Sequence, residues 1–115
     1  MTFDSWEHVA TFALTLPATE AATSYNQPAI KTRGKLICST GHEAGSFHIA
    51  ASHAEKAVLI DSDPETFWQT PHHANWPGLL ARHGSSDPAR IRIVITRAWW
   101  DRSTRVTQAA YGPRP

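Results

Sequence analysis

The chain has 115 residues, a formal net charge of +1, 41% hydrophobic and 18% charged residues. That is one domain's worth of chain with enough apolar content for a real core, which excludes two independent catalytic domains and extensive disorder. One cysteine, Cys38, excludes an internal disulfide and any multi-cysteine zinc site, and no apolar run approaches the ~20 residues of a membrane span.

Met1 to Leu16 lacks a basic start followed by a continuous apolar stretch, so a bacterial-type cytoplasmic protein is expected rather than a secreted one. In this segment Trp6, Val9, Ala10, Ala13 and Leu14 recur at helical steps, with Asp4 as cap, Glu7 three residues on and Pro17 as stop. Glu20 to Tyr25 reads as a strand and Asn26, Gln27 and Pro28 as a turn; Ala29 to Arg33 and Lys35 to Thr40 then form a hairpin around Gly34. Strand alternation puts Ile30 and Thr32 on one face and Lys31 and Arg33 on the other, giving the hairpin a basic outward side. Ser46 to Ala50 is a further strand with Phe47 and Ile49 inward and His48 outward.

Ser52 and Glu55 have capping-box spacing and open a second helix that ends near Asp61. Asp63 and Pro64 start a single turn leading to Phe67 and Trp68, and Gln69 to Gly78, with two prolines, two histidines and Trp76, reads as a loop. Leu79 to Arg82 is a last strand. Asp87 and Pro88 open the final helix, whose core face is Ile91, Val94, Ile95 and Ala98; Ile93 and Trp100 project away from it to cover a sheet edge or meet a second subunit. The expectation is a single α+β domain over residues 1–106, followed by a frayed tail from Thr107 to Pro115.

The charge is segregated. Asp4, Glu7 and Glu20 make the start acidic; Lys31, Arg33 and Lys35 form a basic cluster; Glu43, Glu55, Asp61, Asp63 and Glu65 make the middle acidic against Lys56. From Arg82 onward seven arginines face only Asp87 and Asp101. Short clusters of this kind are first of all solvated surface, and any anion-binding role must be local.

Little in the sequence supports catalysis or a cofactor. Seven histidines occur without HExxH or finger spacing, and His72 and His73 are adjacent, so they read as surface or hydrogen-bonded imidazoles and no metal is expected. No GxSxG elbow, GxGxxG or phosphate loop is present, and Cys38 in a strand reads as a small buried hydrophobe. Asp61, Asp63 and Glu65 are explained by helix ends. What remains is basic residues near aromatics: Lys31, Arg33, Lys35 and Arg82 to meet phosphates, with Tyr25, His72 and Trp76 for stacking or ligand contact. Trp68 and Trp76 are read first as core or loop anchors.

The motifs, taken in order, resemble the MmcQ/YjbR family of small bacterial proteins. They are the helix end Leu14-Thr15-Leu16-Pro17, then Glu20 to Tyr25 with Asn26-Gln27-Pro28-Ala29-Ile30-Lys31, Gly34-Lys35, Asp63-Pro64-Glu65-Thr66-Phe67, Pro71-His72-His73, Arg82, and a helix with Ala98-Trp99. The resemblance implies a CyaY-like or double-wing fold, an antiparallel sheet with helices packed on one side in the order α-β(3–4)-α-β(1–2)-α. By fold analogy it also implies a DNA-binding protein, with Lys31, Lys35 and Arg82 as the carried-over contacts. Two positions depart from the pattern: Ala50 or Ala51 stands where the family has a lysine, and Gly78 where it has a tryptophan, with Trp76 two residues earlier.

Three functions follow as expectations, the third being an enzyme of unknown reaction that no motif motivates. The first is a non-enzymatic domain that contacts DNA phosphates through the basic hairpin. The second is a protein-interaction or small-ligand module that uses the sheet face and the His72 to Trp76 loop.

Overall fold

A computed structural model describes residues 2–115. Its elements are α1 (Trp6–Ala13), β1 (Thr19–Ser24), β2 (Gln27–Thr32), β3 (Lys35–Thr40), β4 (Ser46–Ala50), α2 (His53–Ser62), β5 (Phe67–Trp68), a 3₁₀ turn (Pro71–His73), β6 (Gly78–Arg82), α3 (Pro88–Arg102) and α4 (Arg105–Tyr111). The six strands form one antiparallel sheet in the order β1-β2-β3-β4-β6-β5. This is the expected α+β architecture with one extra helix.

The first three strands are joined by two-residue turns. Tyr25 and Asn26 have φ of 49° and 64°, and Arg33 and Gly34 have φ of 53° and 75°. Two consecutive left-handed residues are what a type I′ hairpin requires, because its twist matches that of the flanking strands. The first turn therefore lies at Tyr25–Asn26 rather than over Asn26 to Pro28, and Arg33 sits in a turn rather than on a strand face. Pro28 opposes Thr23 on β1 but precedes the first β2–β3 partner, Ala29, so its missing N–H breaks no bond to β3.

β2 and β3 change register between Ile30 and Lys31: Ile30 opposes Cys38 while Lys31 opposes Leu36. Ile37 is the extra residue of a bulge, which lets both Ile37 and Cys38 enter the core. Partner by partner, Ile30, Cys38, Ile49 and Leu79 form one row across the sheet, and Phe47, Ala81 and Phe67 another. All seven belong to the buried core, where they meet Val9 and Ala13 of α1, Leu59 of α2, and Ile91, Val94, Ile95 and Ala98 of α3. The helices thus cover one face. Trp99 is fully buried, and its indole N–H donates to Pro17 O at 2.8 Å, tying α3 to the chain after α1.

The caps differ in detail from the sequence reading. Ser5, not Asp4, caps α1 by accepting from His8 N; Ser52 caps α2 by accepting from Glu55 N; Asp87 caps α3 by accepting from Arg90 N. The expected frayed tail is instead α4 and a return segment. Arg114 pairs with both oxygens of Asp101 and with Glu55, while Arg97 also reaches Glu55. The Trp100 indole N–H donates to Gly112 O at 3.1 Å, so the chain itself covers Trp100 and leaves Ile93 exposed. No helix among the described residues is long and apolar enough to cross a membrane.

Candidate ligand pocket

The other face of the sheet has its own row of partners: Ala29, Ser39, His48, Leu80 and Trp68. Ala29, Ser39 and Leu80 are buried although no helix covers them. The cover comes from the loop between β5 and β6, which folds back over the sheet. His73 and Trp76 place their rings 4.9 Å and 5.3 Å from His48, and His72 stands edge-on to His73 at 5.3 Å. In the 3₁₀ turn the adjacent His72 and His73 lie on the same side, whereas strand alternation would separate them.

Two features hold this loop down. Lys56, on α2, is only 4% exposed and donates to His73 O, Ala74 O and Trp76 O at 3.1, 3.2 and 2.6 Å. Its ammonium has three donors, and three carbonyls use them. Burial lowers its pKa from the ordinary lysine value. The second feature is Gly78, where an added Cβ would come within 2.2 Å of the Trp76 ring. The indole occupies the space that any side chain at 78 would need. A tryptophan at 76 and a glycine at 78 are thus sterically matched.

Between this loop, the β1–β2 turn and the β3–β4 loop lies a pocket of about 600 Å³. His48, Ser39 and Thr40 belong to its sheet side, and Tyr25, Ser24 and Gln27 come from the β1–β2 turn. Gly41, His42 and Glu43 come from the β3–β4 loop, and His72, His73 and Trp76 complete the lining. Tyr25, His72 and Trp76, the three residues singled out for stacking or ligand contact, therefore converge. His48, His73 and Glu43 were not singled out. The signal available for His48 was its outward place on a strand; nothing local could say that a loop would fold over it.

His48 is electrically quiet. Burial, with the neighbouring imidazoles of His73 and His42 adding to it, lowers its pKa to about 4. Its Nδ1 lies 3.4 Å from the Ser39 hydroxyl, and its Nε2 is buried with no hydrogen-bond partner among the described residues. Burial also lowers His73, with His72 and Lys56 adding to that shift and Glu43 opposing it. No group of three or more His, Cys, Asp or Glu side chains among the described residues is arranged to hold a metal ion. Cys38 is fully buried and its pKa is pushed up to about 12, which removes it as a nucleophile.

The basic residues do not converge as the sequence suggested. Lys31, Arg33 and Lys35 lie around the β2–β3 turn, whereas Arg82 opposes Ser46 at the other end of the strands. Arg82 places its guanidinium 5.0 Å from the Trp68 ring centre and donates to Pro64 O and Glu65 O. Its work is to hold the turn before β5. Lys31 has Glu20 directly opposite on β1, which offsets part of its field, and Lys35 shares a shallow hollow with Arg102 and Asp101.

No family model matches the chain, and no curated protein matches it in sequence. In structure it is similar to the crystal structure of Deinococcus radiodurans protein DR2400, described as a DUF419 domain. The TM-score is 0.72 over 94% of this chain and 88% of that one, at 8% sequence identity. A likeness at that identity carries the fold and nothing finer.

Proposed function

We propose that this domain is a non-enzymatic small-ligand-binding module whose site is the pocket on the helix-free face of the sheet. The observation that carries the reading is the convergence of Tyr25, His48, His72, His73 and Trp76 around about 600 Å³. That volume falls in the range of roughly 300–1,000 Å³ typical of small-molecule sites, which are concave, mostly apolar and supplied with a few polar groups. Ser39, Thr40 and Gln27 supply uncharged hydrogen-bonding groups. The one hydroxyl–imidazole pair within the lining, Ser39 with His48, is long at 3.4 Å and has no third group among the described residues bonded to His48 Nε2 to orient the ring, so binding rather than turnover is the activity assigned. Membership in the MmcQ/YjbR family, read from the order of motifs, is part of this proposal; the likeness to a DUF419 domain supports it at the level of fold.

The test is a fragment screen of mixed charge, followed by the indole and imidazole resonances of the pocket. Saturable shifts of Trp76 and His48 that disappear in Gly78→Ala, in which the indole is displaced, are expected. Shifts confined to other surfaces would overturn the reading.

A second reading, nucleic-acid contact, is favoured by one observation: Lys31, Arg33 and Lys35 form no ion pair among the described residues. Three phosphate contacts would give a slope of about −3 for log affinity against log salt. Duplex titrations are expected to lose binding in a Lys31→Ala, Arg33→Ala double variant and to keep it in Arg82→Ala. No binding at low salt ends this reading.

A further inference from the structure

We infer that the pocket selects an organic cation, a ring-bearing or bulky alkylammonium compound, held between the aromatic faces of Trp76 and Tyr25 with Glu43 as its counter-charge. This rests on the ligand-binding reading above and names the ligand class of the same site.

The charge inventory of the lining is one-sided. No lysine or arginine contributes to it, and Glu43 is its one carboxylate. Glu43 forms no ion pair among the described residues, yet it is near enough to His73 for its charge to be felt there. The nearest ammonium, that of Lys56, lies behind the loop with all three donors committed to carbonyl oxygens. An anionic ligand would therefore meet a carboxylate and the negative faces of aromatic rings, with no lysine or arginine to receive it.

The aromatic groups complement a cation. Trp76 is fixed over Gly78 and against His48 on the side of the β5–β6 loop. Tyr25 stands at the opposite side, on the β1–β2 turn, 94% exposed. A tyrosine held at the tip of a left-handed turn with its ring in solvent makes no contribution to the core. Its ring is free to close on a ligand that Trp76 already contacts. A cation over Trp or Tyr gains about 0.5–2 kcal/mol by the ring quadrupole, the principle behind aromatic cages for quaternary ammonium groups. The volume also admits bulk: at about 600 Å³ the pocket has room for a ring or several alkyl arms beside the charged nitrogen.

The experiment titrates the full chain with three probes of similar bulk: benzyltrimethylammonium (cationic), N-benzylacetamide (neutral) and phenylacetate (anionic). The readout is the resonances of Trp76, Tyr25 and His48. The cation is expected to bind about tenfold more tightly than either of the others, the ratio that a cation–π contact of middling strength gives. Glu43→Gln and Tyr25→Leu, both outside the core, are each expected to weaken the cation about three- to tenfold while leaving the folded spectrum unchanged. Equal or tighter pocket binding by the neutral or anionic probe overturns the cation inference and leaves the ligand-binding reading standing. Unchanged cation affinity in both variants also overturns it. If none of the three probes moves the pocket resonances, this inference fails; the ligand-binding reading is then decided by the mixed screen.

Discussion

Lys56 is a buried ammonium with no carboxylate partner among the described residues, a placement that normally carries a large desolvation cost. Here three carbonyl oxygens replace its water. Replacing it with methionine keeps the stem and removes the donors, leaving three carbonyls unsatisfied at about 1–3 kcal/mol for each that stays buried. Lys56→Met is expected to lower unfolding free energy by about 2 kcal/mol in urea titrations and to speed amide exchange in residues 70–76. His48 carries a second prediction. Its folded pKa of about 4 lies below the ordinary 6.5, so between these values the unfolded chain binds the extra proton. Stability therefore falls as pH drops from about 6.5 towards 4 and is insensitive to this group above that window. The urea midpoint measured across the window is expected to lose part of its acid slope in His48→Gln; an unchanged slope rules His48 out as its source.

Among the elements, the loop between β5 and β6 does most to define the site, and it is the one whose placement depends on contacts distant in sequence. Gly78→Ala forces a Cβ into the space of the Trp76 ring. Since the wall of an aromatic ring yields less readily than a flexible chain, a loss of about 1–3 kcal/mol is expected, as for overpacked cores. A red-shifted, more accessible indole in fluorescence quenching would report it. The strands around this loop were legible because their signals are local. Gly34 marks the second hairpin turn, Asp87-Pro88 opens α3, Ser52 caps α2, and the alternation of Phe47, His48 and Ile49 assigns sheet faces correctly. The sequence puts the first turn one to two residues late because Pro28 looks like a turn residue, and only the β2–β3 register shows why a strand tolerates it. The pocket was legible in part. Tyr25, His72 and Trp76 stand out by residue type, but His48 and His73 join them only once Lys56 has pulled the loop onto the sheet. Charge clustering in sequence misled for Arg82, since strand direction sends it to the far end from the hairpin.

At the scale of the whole molecule, the last residues act as a clasp. Thr107 to Pro115 lacks a long apolar stripe, which is why it reads as a tail; its order comes from partners on α3, such as Trp99, Trp100 and Asp101, and from Glu55 on α2, 59 residues before Arg114. Glu55 on α2 takes Arg97 and Arg114, Asp101 takes Arg114, and Tyr111 stands edge-on to Trp99 at 5.2 Å. A lone exposed ion pair contributes about 0–1 kcal/mol, but Arg114 is bidentate to Asp101 and shares Glu55 with Arg97, so Arg114→Ala is expected to cost about 1–2 kcal/mol. Ending the chain after Thr104 removes the Tyr111 contact and uncovers Trp100 together, and a fall of several degrees in Tm with a red shift in tryptophan emission is expected. A truncated chain with unchanged Tm would show that α4 rests on the rest without supporting it. The bond from the Trp99 indole to Pro17 O has a further consequence, one of timing. The first four strands are consecutive neighbours and can pair as soon as they leave the ribosome, but the apolar side they create, covered in part by α1 and α2, is not closed until residue 99 has been synthesised. A nascent chain halted before α3 therefore presents a half-covered sheet to its surroundings, a state suited to chaperone capture.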